Sequence, residues 1–118
     1  MHQTPGFRDT LVLVTNDGLG QAEPELGRKV FVKYLEVLEA NGTLPGEIAF
    51  YTRGVHLACD GSPAIEKLRA FEAAGVRVIL CKTCIDFYGL AEKVRVGVVG
   101  GMGDIVSAQA MAAKVITV

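Results

Sequence analysis

The sequence predicts an α/β domain built on a parallel sheet, and three observations predict it. Apolar runs such as Leu11–Thr15 (LVLVT) and Val76–Leu80 (VRVIL) are short, nearly continuous and rich in β-branched residues, as strands buried on both faces are. Between them lie segments with the apolar period of helices. The elements alternate as β-α-β-α-β-α-β-α-β, an order that calls for right-handed crossovers and helices on both faces of the sheet.

The opening segment, residues 1–10, is mostly polar, holds Pro5 and Gly6 and shows no period, so it is expected to be loosely ordered. Leu11–Thr15 makes the first strand, and Asn16, Asp17, Gly18, Leu19 and Gly20 supply a turn. Pro24, with Glu23 and Glu25 beside it, starts a helix; Leu26, Val30, Tyr34, Val37 and Leu38 form its apolar stripe and Asn41-Gly42 stops it. Ile48–Thr52 (IAFYT) is the second strand, and Arg53–Ser62 reads as a long loop carrying His56 and Cys59. Ser62-Pro63 opens a second helix, with Ser62 as cap, Ile65, Leu68 and Phe71 inward and Gly75 at its end. The third strand, from Val76, breaks at Lys82 and Thr83 into a short helical pattern. Lys93–Val99 (KVRVGVV) alternates like a fourth strand, Gly100–Gly103 makes a turn, Asp104 caps a helix to Ala113, and Val115–Val118 is the last strand.

A chain of 118 residues suits a single domain with its own core. Half of it is hydrophobic and the mean hydropathy is +0.34, which leaves surplus apolar surface of the kind used between subunits. A net charge of −1 with mixed signs offers no footprint for nucleic acid and no basic patch for a membrane. No run approaches the ~18 apolar residues of a transmembrane helix, and the N-terminus lacks the charged-then-apolar design of a signal peptide, so a cytoplasmic protein is expected.

Three cysteines, two of them in Cys81-x-x-Cys84, suit reactive thiols in a reducing compartment better than a disulfide framework. The pair stands where a strand gives way to a helix, at the carboxyl edge where open parallel sheets gather ligands. A helix N-terminus favours a thiolate, and Lys82 between the sulfurs adds a cation, so a lowered thiol pKa and a nucleophilic cysteine are expected. The plain alternative is two small buried residues filling a helix–strand contact. A thioredoxin-type redox site is disfavoured because the chain has no Trp and its prolines sit near helix starts or turns. Cys81, Cys84, Cys59 and His56 match a Cys₃His zinc set in number but not in spacing, and no metal or cofactor is expected. The glycines of Asn16–Gly20 and Gly100–Gly103 match neither phosphate-loop pattern and are read as closing tight turns.

Four motifs in order resemble the DsrE/DsrF-like family: DGLGQ with ELG (Asp17–Gln21, Glu25–Gly27), RGVHL with DGS (Arg53–Leu57, Asp60–Ser62), CKTCIDFYGL (Cys81–Leu90) and VGVVGGM (Val96–Met102). The likeness runs from Leu11 to the end and is nearest to the DsrE-like domain of the YedF-type proteins linked to selenium metabolism. It implies a flavodoxin-like three-layer α/β/α domain with a five-stranded parallel sheet, assembled into trimers or hexamers. It also implies sulfur relay, in which a cysteine directly after a strand, with a glycine eight positions on, carries sulfane sulfur as a persulfide. Cys81 and Gly89 match that spacing, Cys84 matches only the YedF-type pattern, and Lys82 stands where that pattern has glycine.

The expectation is therefore a sulfurtransferase-like persulfide carrier whose partners are sulfur donor and acceptor proteins or small persulfides. Cys81 would attack the donor, and Cys84 would resolve the product or tune Cys81, with Lys82 and Thr83 as neighbours. The rival is a non-catalytic module binding an anion, a nucleotide or a metal at the strand ends. Phe87, Tyr88 and Leu90, just after the cysteines, are expected in a subunit contact. Cys59 is left as a second sulfur station facing Cys81, as a partner of His56 in a metal site, or as a bystander.

Overall fold

The computed structural model describes residues 7–118. Most of the expected loosely ordered opening, residues 1–6, lies outside the described residues, and Phe7–Asp9 makes one turn of 3₁₀ helix. The elements are β1 (Thr10–Val14), α1 (Pro24–Ala40), β2 (Glu47–Phe50), a 3₁₀ segment (Thr52–Ala58), α2 (Ile65–Ala73), β3 (Arg77–Cys81), α3 (Lys82–Phe87), β4 (Val98–Gly100), α4 (Met102–Met111) and β5 (Lys114–Thr117).

The five strands are all parallel, in the order β4-β3-β2-β1-β5. Val12 lies between Ile48 of β2 and Ile116 of β5, and Ala49 faces Ile79 of β3. Three crossovers step in one direction and the fourth returns across the sheet, so right-handed connection puts α1, α2 and α3 on one face and α4 on the other. This is the expected three-layer α/β/α arrangement. β1 is buried along its whole length, and Phe31 of α1 meets Phe50 of β2 edge-on at 6.2 Å between ring centres. No helix among the described residues is long and apolar enough to cross a membrane.

Several expected boundaries move, each for a local reason. In α1 the buried stripe is Gly27, Phe31, Leu35 and Leu38, while Leu26, Val30 and Val37 are exposed. Two apolar stripes overlap on that helix; the larger Phe31 and the close approach of Gly27 to Gly18 decide which one faces the sheet. Gly18 is locked there, since a Cβ on it would stand 2.5 Å from the Gly27 carbonyl carbon. The fourth strand shrinks to Val98–Gly100 because Gly97 turns at φ +89 and Val94 pairs instead with Cys59 in an isolated antiparallel bridge. Ser62 does not cap α2, which begins at Ile65; its hydroxyl accepts from the Ala64 N–H one turn earlier. Asp104 caps α4 from its third position by accepting the Gly101 N–H at 3.0 Å. The supposed loop after β2 is the 3₁₀ segment, with Gly54, Val55, Leu57 and Ala58 buried.

Candidate functional site

β2 and β3 are parallel neighbours, so the segments leaving their carboxyl ends start side by side. From β3 the helix begins at once: Cys81 is both the last strand residue and the N-cap of α3, with no intervening turn at Lys82-Thr83. From β2 the chain enters the 3₁₀ segment, which packs along α3. These two short elements and their capping residues Cys81 and Cys59 carry every candidate side chain except those of the glycine turns.

Cys81 is buried, with 1 % of its surface exposed, and sits in register with Gly100 of β4, which brings the VGVVGGM motif beside it. Cys84, one turn further along α3, is half-buried and is the more exposed of the two residues. Gly89 closes α3. At φ +66 it follows the C-cap Tyr88; its N–H donates to the Asp86 carbonyl and the Leu90 N–H to the Ile85 carbonyl, a complete Schellman turn. Gly89 lies eight positions after Cys81 because the helix with its two caps, Cys81–Tyr88, is eight residues long. Leu90 is thereby folded inward and buried, not free for a subunit contact, while Phe87 is 81 % exposed.

Thr52 is the residue that reading the sequence missed. Its N–H donates to Cys84 Sγ at 3.0 Å. Among the described non-glycine residues it is the one with positive φ, +49. For a β-branched residue that backbone costs roughly 1–3 kcal/mol and persists only where surroundings impose it. The constraint is visible: Thr52 Oγ1 lies 2.6 Å from the Thr15 carbonyl and 2.7 Å from the Tyr51 carbonyl, two acceptors competing for one hydroxyl proton. Two residues on, Gly54 has no room for a side chain, since a Cβ would lie 2.1 Å from the Val14 carbonyl oxygen.

The expected depression of thiol pKa is not what Cys84 experiences. Burial, and then the neighbouring Cys81 thiol, push Cys84 upward, while the Thr52 N–H pulls it down. Lys82 does not stand between the sulfurs as a mobile cation. Its Nζ is 2.6 Å from Asp86, an exposed pair on the outer side of α3. Thr83 is exposed beside it.

Cys59 and His56 belong to other surroundings. Cys59 is buried, its thiol donates to the Val55 carbonyl at 3.3 Å, and burial, then Asp60, raise its pKa. His56 packs against Tyr88 with ring centres 4.6 Å apart and planes tilted by 56°, and it lines a cavity of about 310 Å³ together with Asp17, Arg28, Asp60, Gly61 and Ser62. These surroundings favour the bystander alternative for Cys59 over the second station, and no group of three or more His, Cys, Asp or Glu among the described residues could hold a metal ion.

The DsrE/DsrF-like family model matches residues 10–118. Solved structures share the fold at low identity. A protein of unknown function from Methanobacterium thermoautotrophicum, MTH1491, is 19 % identical with a TM-score of 0.68 over 92 % of this chain and 97 % of its own. The ychN protein of E. coli is 18 % identical with a TM-score of 0.66 over all of both chains. A conserved protein of unknown function from Bacteroides thetaiotaomicron, BT1422, is 13 % identical with a TM-score of 0.68 over 98 % and 100 % of the two chains. Comparison with curated proteins gave no match.

Proposed function

Since the chain belongs to the DsrE/DsrF-like family, we propose that it is a persulfide carrier that relays sulfane sulfur through Cys84 and Cys81. The observation that carries this reading is the half-buried Cys84, whose sulfur is held by a backbone N–H and backed by a buried second thiol. The greater exposure of Cys84 supports an order of attack opposite to the one expected from the resemblance. Cys84, not the buried Cys81, meets the donor: its thiolate attacks the outer sulfur of a persulfide R–S–SH, giving Cys84–S–SH and releasing R–S⁻. An acceptor thiolate then takes the outer sulfur and Cys84–S⁻ leaves. Cys81 stands ready to attack the inner sulfur instead, which forms the Cys81–Cys84 disulfide and expels HS⁻.

The partners on this reading are protein or small-molecule persulfides and thiols in a reducing, cytoplasmic setting, which suits three free cysteines. Cys84 favours a YedF-type placement, and with it a role in selenium metabolism. A second copy of the chain would cover the exposed Val98, Val99, Met102, Val106 and Met111 of the β4–α4 side; light scattering of the full chain at micromolar concentration should give a trimer or hexamer, and a monomer removes this assembly.

The test is intact mass after incubation with a persulfide donor. Wild type should gain steps of about 32 Da per sulfur, and Cys84→Ser should gain none. A second reading, a binding module, is favoured by the cavity beside His56, where the His56 and Arg28 side chains have no hydrogen-bond partner among the described residues. Wild type that stays unmodified would support that module.

A further inference from the structure

We infer that the Thr52 backbone N–H is a dedicated sulfur-anion donor, held in place by the Thr52 hydroxyl, that stabilises Cys84 both as attacking thiolate and as leaving thiolate. The inference rests on the proposed relay for its purpose, but its physical content does not depend on it. Its ground is the combination of three features at one residue: a β-branched side chain at φ +49, an N–H 3.0 Å from Cys84 Sγ, and a hydroxyl within hydrogen-bond distance of the Thr15 and Tyr51 carbonyls.

Each contact requires the others. Threonine leaves the left-handed region unless something holds it there, and relaxation to negative φ would swing the N–H away from α3. The hydroxyl is what holds it, because its acceptors lie at the ends of β1 and β2, which the sheet fixes. Gly54 then lets the chain continue against Val14, where any side chain would collide. The arrangement spends backbone strain on presenting one donor to one sulfur, and strain of that kind gathers at functional sites.

The donor acts at both charged moments of the relay. Before attack, Cys84–S⁻ accepts the hydrogen bond and its thiolate fraction rises. When an acceptor R′–S⁻ takes the outer sulfur, Cys84–S–SH and R′–S⁻ become Cys84–S⁻ and R′–S–SH, and the same N–H receives the returning charge. A lower leaving-group pKa speeds that second step.

The test is a site-resolved pH profile of alkylation on the full chain. Trypsin separates the thiols, because cleavage at Lys82 puts Cys81 in VILCK and Cys84 in TCIDFYGLAEK. Thr52→Val keeps the shape and removes the latch; Cys84 labelling below its pKa should fall about tenfold and its profile should move to higher pH. Thr52→Ser restores the hydroxyl and should return labelling to within about twofold of wild type. A folded Thr52→Val with the wild-type profile, or Thr52→Ser as impaired as Thr52→Val, overturns the inference.

Labelling of Cys59 reports loss of fold in any variant, and wild type supplies a measurement that needs no variant at Thr52. In the ¹⁵N–¹H spectrum the Thr52 amide proton should move downfield as Cys84 ionises and stay still in Cys84→Ser. A Thr52 amide that ignores the Cys84 titration defeats the inference on its own. Neither measurement uses a persulfide, so a coupled titration with no sulfur uptake would leave the donor standing and remove the relay, and the reverse result would do the opposite.

Discussion

Cys84 and Cys59 are thiols on segments that leave adjacent strands, and the backbone treats them in opposite ways. Cys84 accepts a hydrogen bond from the Thr52 N–H, a contact that strengthens when the proton leaves the sulfur. Cys59 donates to the Val55 carbonyl, a contact that exists only while the proton stays. The first arrangement favours the anion and the second the neutral thiol. Access points the same way, since Cys84 is half-buried and Cys59 has 1 % of its surface exposed. Burial raises the pKa of both thiols and so does not by its sign tell them apart; the sign of the nearest backbone dipole does.

The sharpest way to break this contrast is to exchange serine for each cysteine. Cys84→Ser should lose persulfide uptake by at least about a hundredfold, because no other accessible thiol replaces it. Cys59→Ser should stay within about twofold in rate per folded molecule, measured by the same mass steps. Comparable losses in the two variants would end the distinction.

The scaffold that aims the Thr52 donor offers the next largest effect. Gly54→Ala places a Cβ 2.1 Å from the Val14 carbonyl oxygen, a backbone atom that cannot move without moving β1. Denaturant unfolding should show a loss of about 3 kcal/mol or more. Gly20→Ala is the useful contrast: its φ is +66 but nothing lies within 4 Å of the added Cβ, so only the left-handed penalty of about 1 kcal/mol is expected. Equal losses would show that conformation, not space, decides both positions.

Much of this frame is legible in the sequence. The alternation of elements, the parallel sheet and the placing of Cys81 and Cys84 at a strand–helix junction follow from period and from where apolar runs stop. What the sequence hides is tertiary. Thr52 carries no mark of its positive φ, because threonine is a poor choice for it and only neighbouring carbonyls make it stable. In α1 two stripes are equally periodic, and packing of Phe31 on Phe50 settles the matter. Lys82 reads as a cation near sulfur from its position alone, yet Asp86 four residues on is the closer partner on a helix. His56 and Cys59 share a loop in sequence, but the 3₁₀ turn sends one side chain outward to Tyr88 and the other into the core. A run of Val55, Leu57 and Ala58 inside a supposed loop was the available signal of that turn.

The smallest expected effect concerns stability at high pH, and it separates the two thiols by the same dipole argument. Both have folded-state pKa values raised above the ordinary 9.0, by burial first in each case. A thiol whose pKa is raised on folding holds its proton where the unfolded chain has already lost it. The stability this provides is fully present below about pH 9 and is lost as pH rises through the folded pKa. At Cys84 the Thr52 N–H opposes the shift and at Cys59 the Arg95 charge does, but the Cys59 thiol is also the donor to the Val55 carbonyl and needs its proton for that bond, so Cys59 should dominate the alkaline decline. Cys59→Ala ought therefore to flatten the fall in unfolding free energy above about pH 9, by at most about 1.4 kcal/mol per pH unit, the limit for one proton. Cys84→Ala should flatten it less. Tyr34, whose pKa burial also raises from 10.0, titrates in the same region but is shared by all three proteins and cancels in the comparison. Denaturant melts of wild type and the two variants under reducing conditions, from about pH 7 to about pH 11, provide the check, and a Cys84→Ala curve flatter than that of Cys59→Ala would reverse the assignment of the two dipoles.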